Sequence, residues 1–275
     1  MNTPEFTVAC VATDRTRPLA SGEIVVEGAR LSFSFGEPEE IFRRALRERA
    51  FELTELSMAS HIVTTARGDS SYVGVPVFLS RSFRHSALFV RSDSDIRTLK
   101  DLRGKNVGVP EYQQTAAMWV RGMMLDEGVA ASDVRWHVGS LNEPGAGERI
   151  KLSLPESIEV HALSGADTLN DQLIDGRLDA IISPRVPAGL QDGSGRVRRL
   201  FGDLKASEIE FYRRTGFFPI MHCLAVRKDV AEAHSWLPAA LFRAFSQAKR
   251  LRLEEMALTN VLRVSLPSPM SSRRR

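Results

Sequence analysis

Apolar and polar residues along this chain fall into short blocks that fit one of two periods. Runs of four to eight apolar or alternating residues occur at Phe6–Ala12 (FTVACVA), Leu31–Phe35, Phe51–Leu56, Tyr72–Leu79, Ser86–Arg91, Ile158–Leu163, Leu178–Ile182 and His222–Arg227, and they predict strands. Between them stand blocks with helical spacing. Ile41, Phe42, Ala45 and Leu46 follow Pro38; Ile62 and Val63 face inward after a cap at Ser57; Leu169 and Leu173 follow a cap at Thr168. Trp236, Pro238, Leu241, Phe245 and Ala248 mark a longer helix with proline near its start. The order is one αβ series, a polar connector at Ser92–Thr98, a second αβ series, and a return after Gln191–Gly195. It predicts an α/β protein of two lobes with a ligand cleft between them. Gly139–Lys151, rich in Gly and Glu, reads as an exposed loop.

The stretch Asp101–Met124 organises the second series. Val107–Val109 is long enough for a buried strand, Pro110 ends its pairing, and from Gln114 the residues Ala117, Val120 and Met124 repeat at i, i+3 and i+7. The first turn of that helix offers unsatisfied N–H groups beside the Tyr112 and Thr115 hydroxyls and the Gln113 amide, a set suited to a carboxylate. A capped helix without ligand accounts for the same residues equally well. Asp14 and Arg15 lie beyond the carboxyl end of the first strand, where ligands gather in open α/β sheets, although a solvated turn has the same composition. Arg81, Arg84 and His85 crowd one connection between two apolar strands, where Gly, Asn and Asp are the usual residues. Arg185 again follows a strand. His61, early in its helix, reads as structural.

Composition narrows the class. At 275 residues and 43% hydrophobic, the chain can bury two medium cores. The formal charge of +3 equals the three terminal arginines, Arg273, Arg274 and Arg275; without them it is zero. Basic and acidic residues are otherwise interspersed, so the pI of 9.1 does not indicate a nucleic-acid partner. Cys10 and Cys223 have no metal-type spacing and one possible pairing, which suits a reducing compartment. No stretch approaches the ~18 apolar residues of a membrane span, and MNTPEFTV lacks the basic-then-apolar order of a secretory signal, so a cytoplasmic protein away from the membrane is expected.

Several of these segments together resemble one family. DLRGKNVGV followed by a polar turn and helix, with the later GRLDAIIS, is similar to the second lobe of type II periplasmic-binding-protein-like folds. DRTRPL at Asp14–Leu19, VPVFLSRSFRHSALFVR at Val75–Arg91, GVPEYQQTAAMWVRG at Gly108–Gly122, ISPR at Ile182–Arg185 and RRTGFFPIMH at Arg213–His222 resemble the 4,5-dihydroxyphthalate decarboxylase family across Phe6–Pro267. The resemblance implies a two-lobed type II fold with an interlobe cleft, lobe 1 being residues 1–94 plus 196–275 and lobe 2 residues 95–195. It implies a cytoplasmic carbon–carbon lyase that converts 4,5-dihydroxyphthalate, or a related hydroxylated aromatic diacid, to 3,4-dihydroxybenzoate and carbon dioxide, with no organic cofactor. The one partner would be that small aromatic dicarboxylate.

Motif membership and chemistry then assign roles. Arg15, Arg81, Arg84 and Arg185 would grip carboxylates through the bidentate guanidinium fork. Tyr112, Gln113 and Thr115 would hold the second carboxylate or the hydroxyls. His85 and His222 would move the proton, with Asp14 orienting one of them. The six histidines, His61, His85, His137, His161, His222 and His234, show no i, i+4 pair and no H-E-x-x-H pattern, so no protein-ligated metal is expected. After Leu262–Pro267 the residues SPMSSRRR lack apolar periodicity, whereas family members continue through further helical segments. A shortened end would expose apolar surface and weaken stability or activity. Two other classes remain beside the decarboxylase: a solute-binding protein for an aromatic acid or similar anion, and an inactive shortened relative.

Overall fold

The computed structural model describes residues 3–145 and 149–257. The segment behind the expected shortened end, Leu262–Arg275, lies outside the described residues, as does part of the expected loop at Gly139–Lys151. By internal contacts the described residues form two units, residues 3–56, 70–79 and 223–257, and residues 57–69, 80–145 and 149–222.

Unit 1 is built on a five-stranded sheet of order β2-β1-β3-β11-β4, with β1 Glu5–Cys10, β2 Arg30–Phe35, β3 Leu53–Ser57, β4 Tyr72–Arg81 and β11 Ile220–Arg227. β1 runs parallel to both β2 and β3. The strand residues that alternate inward, Phe6, Val8, Cys10, Leu53, Val75 and Leu224, pack with Leu237, Leu241, Phe245 and Ala248 of the 21-residue helix α9, Leu237–Ala257. The helix predicted from Trp236 onward therefore exists, and its apolar stripe is core. α1 (Arg17–Ala20) and α2 (Pro38–Glu48) follow β1 and β2; Pro38 opens α2, and Ile41, Phe42 and Ala45 are its buried face. Cys10 and Cys223 are both free and buried, and desolvation pushes each thiol up to about 12.

Unit 2 carries a six-stranded sheet of order β10-β5-β9-β6-β7-β8, with β5 Leu88–Arg91, β6 Asn106–Val109, β7 Arg135–Val138, β8 Val160–Ala162, β9 Ala180–Ile182 and β10 Val197–Arg199. β6 pairs in parallel with β7 and β9, while β5 runs antiparallel to β9 and β10. Its helices are α3 Met58–Arg67, α4 Thr115–Asp126, α5 Leu169–Ile174, α6 Ala188–Gln191 and α7 Leu204–Thr215. Leu88, Val107, Val109, Ala117, Val120 and Met124 share one core with Trp136, which is fully buried. At Gly108 in β6 an added Cβ would stand 2.7 Å from a Leu169 methyl and 2.8 Å from a Leu178 methyl, so a larger residue would have to displace both side chains.

Two expectations change. Residues 57–69, 80–94 and 196–222 group with unit 2, where β5 pairs with both β10 and β9 inside the six-stranded sheet. Ile62 points outward at 47% exposure, and the buried face of α3 is Ala59 and Ser60. Ser60 turns inward because its hydroxyl donates to the Gln113 side-chain oxygen at 2.9 Å.

Candidate active site

The start of α4 is where unit 2 concentrates buried polar groups. Gln114 is the N-cap residue, in extended conformation, with no side-chain cap. The Thr115 hydroxyl, 4% exposed as a residue, shares a 2.9 Å hydrogen bond with the Ser57 hydroxyl and accepts the Ala59 N–H at 3.1 Å. The first turns of α3 and α4 are thus tied side to side. Next to them Gln113 accepts from Ser60 and donates through Nε2 to Glu111 at 3.2 Å, and Glu111 pairs with Arg149. Glu111 and Arg149 are both almost buried, with side-chain exposures of 12% and 10%. The polar crossing between β6 and α4 is therefore held by neutral bonds to α3 and by a charge-assisted run from Gln113 through Glu111 to Arg149.

One turn further, on the same side of α4 as Thr115, the Trp119 indole donates to the Ile220 carbonyl at 3.0 Å. Ile220 belongs to a five-residue stretch, Phe218–His222, on which two of the expected arginines converge. Arg81 donates through Nε and Nη2 to the Phe218 carbonyl at 3.1 and 2.6 Å, with its guanidinium over the Phe218 ring. Arg84 sends Nε to the Met221 sulfur at 2.8 Å. It is partly buried, no carboxylate pairs with it among the described residues, and burial lowers its pKa to about 10, so it remains a cation at neutral pH. A partly desolvated cation with no carboxylate partner among the described residues has unspent capacity to hold an anion. His222 follows directly, half-buried near the start of β11.

The other predicted residues lie elsewhere. The Tyr112 ring is core: it meets Trp136 edge-on with ring centres 5.5 Å apart, and Arg121 lies over it at 4.0 Å. His85 sits in a short 3-10 turn, 4% exposed, among the rings of Phe83, Phe201 and Phe211. Burial and the nearby Arg214 lower its pKa to about 4, so its imidazole is neutral at neutral pH. Arg185 is exposed beyond β9, and its N–H is held by the buried Ser183 hydroxyl at 3.1 Å. In unit 1, Asp14 and Arg15 are 3.7 Å apart as an open ion pair. Sequence patterning passed over Ser60, Trp119 and the Glu111–Arg149 pair. Glu111 and Trp119 fall inside the GVPEYQQTAAMWVRG segment, but their partners are 38 and 101 residues away and only folding reveals them. Among the described residues no three His, Cys, Asp or Glu side chains are arranged to hold a metal ion, and no helix is long and apolar enough to cross a membrane.

Comparison with known proteins places this arrangement. Among solved structures, the periplasmic aliphatic sulphonate binding protein SsuA of Escherichia coli aligns over 92% of this chain and 75% of its own, with a TM-score of 0.55 at 17% identity. The alkanesulfonate-binding SsuA of Xanthomonas axonopodis pv. citri aligns over 92% of this chain and 75% of its own, with a TM-score of 0.52 at 14% identity. The fold is thus the two-lobed type II solute-binding architecture. A family model described as NMT1/THI5 like matches residues 62–143. A 4,5-dihydroxyphthalate decarboxylase of Comamonas testosteroni is 42% identical over 97% of this chain and 81% of its own length. One of Pseudomonas putida is 41% identical over 79% of this chain and 84% of its own. With its polar crossing at α4 and its arginines gathered on Phe218–His222, the chain belongs to the 4,5-dihydroxyphthalate decarboxylase family.

Proposed function

We infer that this protein is a carbon–carbon lyase that decarboxylates 4,5-dihydroxyphthalate to 3,4-dihydroxybenzoate and carbon dioxide. The observation that carries the reading is the 42% identity with a decarboxylase of that name over 97% of the chain. The chemistry asks for little besides charge and one proton. Direct loss of a carboxylate would leave an sp² carbanion on the ring, so protonation comes first. Removing the proton from the hydroxyl para to the departing carboxylate sends electron density to the carbon that bears it, and that carbon takes up a proton. Breaking the C–C bond then returns its electron pair to the ring, carbon dioxide leaves, and the phenolate regains its proton.

In this reading Arg84 binds the retained carboxylate, which supplies the counter-charge its guanidinium lacks. Arg81, holding the Phe218 carbonyl and ring, keeps the Phe218–His222 stretch in place. Gln113 and Thr115, already fixed by Ser60 and Ser57, orient the ring hydroxyls. His222 moves the proton. His85, whose pKa is lowered to about 4 by burial and Arg214, is neutral at neutral pH and is not assigned the proton delivery. Asp14 and Arg15 receive no step. Arg185, exposed beyond β9, is a second guanidinium for the departing carboxylate before bond cleavage.

Purified protein incubated with 4,5-dihydroxyphthalate should release one carbon dioxide per substrate consumed, with the ring absorbance moving to that of 3,4-dihydroxybenzoate. Tight binding with no release would replace the lyase by a receptor, and neither binding nor release would reject this substrate.

A further inference from the structure

Beside His85 lies a cavity of about 140 Å³ within unit 2, which the decarboxylation scheme leaves unused. Its walls include Leu99, Met123, Phe201 and Phe211. The volume is on the scale of one benzene-sized ring, and the apolar side chains line only part of it, on a cavity that is partly open. The His85 ring lies edge-to-face with Phe201 at 5.0 Å and with Phe211 at 5.5 Å, so the imidazole continues an aromatic wall. His85, 4% exposed, is also the one imidazole among the cavity's lining residues, able to exchange a hydrogen bond with an occupant.

The remaining lining selects the charge of the occupant. Ser207, Glu210, Glu127 and Arg214 complete it. Arg214 already pairs with Asp126 at 3.1 Å, and Glu127 stands 3.6 Å from Lys100, which leaves Glu210 as the charge on this wall with no ion-pair partner among the described residues. A carboxylate would meet Glu210 without a free cation to offset it, whereas a hydroxyl donates to a carboxylate and suits a neutral imidazole in either tautomer, being donor and acceptor at once.

We propose that the cavity beside His85 is a second binding site, for a neutral phenol or catechol, a single hydroxylated ring without a carboxylate. The ring packs among Phe201, Phe211, Leu99 and Met123, one hydroxyl pairs with the His85 imidazole, and the other faces Ser207 and Glu210. Neither Arg84 nor His222, to which the decarboxylation step is assigned, lines this cavity.

Titration of the whole protein with catechol, followed by calorimetry, tests this. One-to-one binding is expected, and Ser207→Phe, which fills the cavity from α7, should weaken it at least tenfold while turnover of 4,5-dihydroxyphthalate stays within twofold. Ser207→Leu serves if the larger side chain lowers the thermal midpoint sharply. Absence of catechol binding to the parent protein overturns the proposal, and so does catechol affinity unchanged in both variants, which puts the ligand elsewhere. Loss of turnover in parallel with catechol binding would merge the cavity with the substrate site and end its standing as a second one. Binding of 3,4-dihydroxybenzoate as tight as catechol and equally sensitive to Ser207→Phe would overturn the choice of a neutral ligand.

Discussion

The two units use their interiors differently. Unit 1 buries four polar side chains among the described residues, Thr16, Thr54, Glu55 and Ser70, and these bind backbone groups: Glu55 accepts the Val11 N–H, 44 residues away, at 2.9 Å, and the Thr16 hydroxyl ties down the turn after β1. Its thiols are held protonated by burial. Unit 2 buries ten, including Ser57, Ser60, His85, Gln113, Gln114 and Thr115. Several of these bind one another across long stretches of sequence instead of finishing local turns. A buried polar group lowers stability unless it is paired, so a network that joins α3 to α4 and reaches Arg149 is retained for what it positions. The contrast assigns scaffold to the apolar interior of unit 1 and chemistry to unit 2.

The largest effect expected from this division is on His222. His222→Asn keeps the side chain's size and removes the imidazole, and turnover should fall by about 10² to 10⁴, the range a positioned acid or base supplies. Full turnover in that variant would break the assignment. Arg84→Met comes next. It replaces a partly desolvated cation by an apolar group of similar length, so kcat/KM should fall about 10²-fold, roughly 3 kcal/mol of lost carboxylate binding. The urea midpoint should stay level or rise, because the uncompensated charge is gone. A fall in both would make Arg84 a structural residue of unit 2. Arg84→Lys should recover little, lacking the fork.

The smallest expected effect concerns stability and pH. The folded-state pKa of His85 is lowered from 6.5 to about 4. The unfolded chain therefore takes up a proton between these values that the native state refuses, so the contribution of His85 is complete above pH 6.5 and is lost as pH falls towards 4. Urea midpoints measured at pH 7 and pH 4.5 should separate for the parent protein and draw together in His85→Phe. His61 and His137, also lowered by burial, leave a residual slope of the same sign. An unchanged slope in His85→Phe would show that the buried ring is not the group that titrates.

The fold neighbours and the relatives bear on different questions. The sulphonate-binding proteins, at 14–17% identity, establish the chain path alone. The decarboxylases, at 41–42%, establish the family. One architecture thus hosts receptors and enzymes, and the difference lies in individual side chains placed on it.

Much of the fold was legible in the order of residues, because hydrophobic burial acts through periodicity. Pro38 opening α2, the Thr168 cap accepting the Asp171 N–H, and Val107–Val109 followed by a helix from Gln114 all depend on neighbours within a few positions. The same local logic misjudged Ile62, since what faces inward on α3 is set by Gln113, 53 residues from Ser60. Candidate chemistry was legible as residue types and not as roles. Arg84 and His85 are adjacent, yet one remains a cation beside a sulfur and the other a neutral ring in an aromatic cluster. Strand and helix positions, caps and the family resemblance follow from local pattern. Whether a given arginine or histidine is paired, charged or sealed from water depended on partners brought from up to 137 residues away, because solvation and Coulomb interactions are set by distance in space.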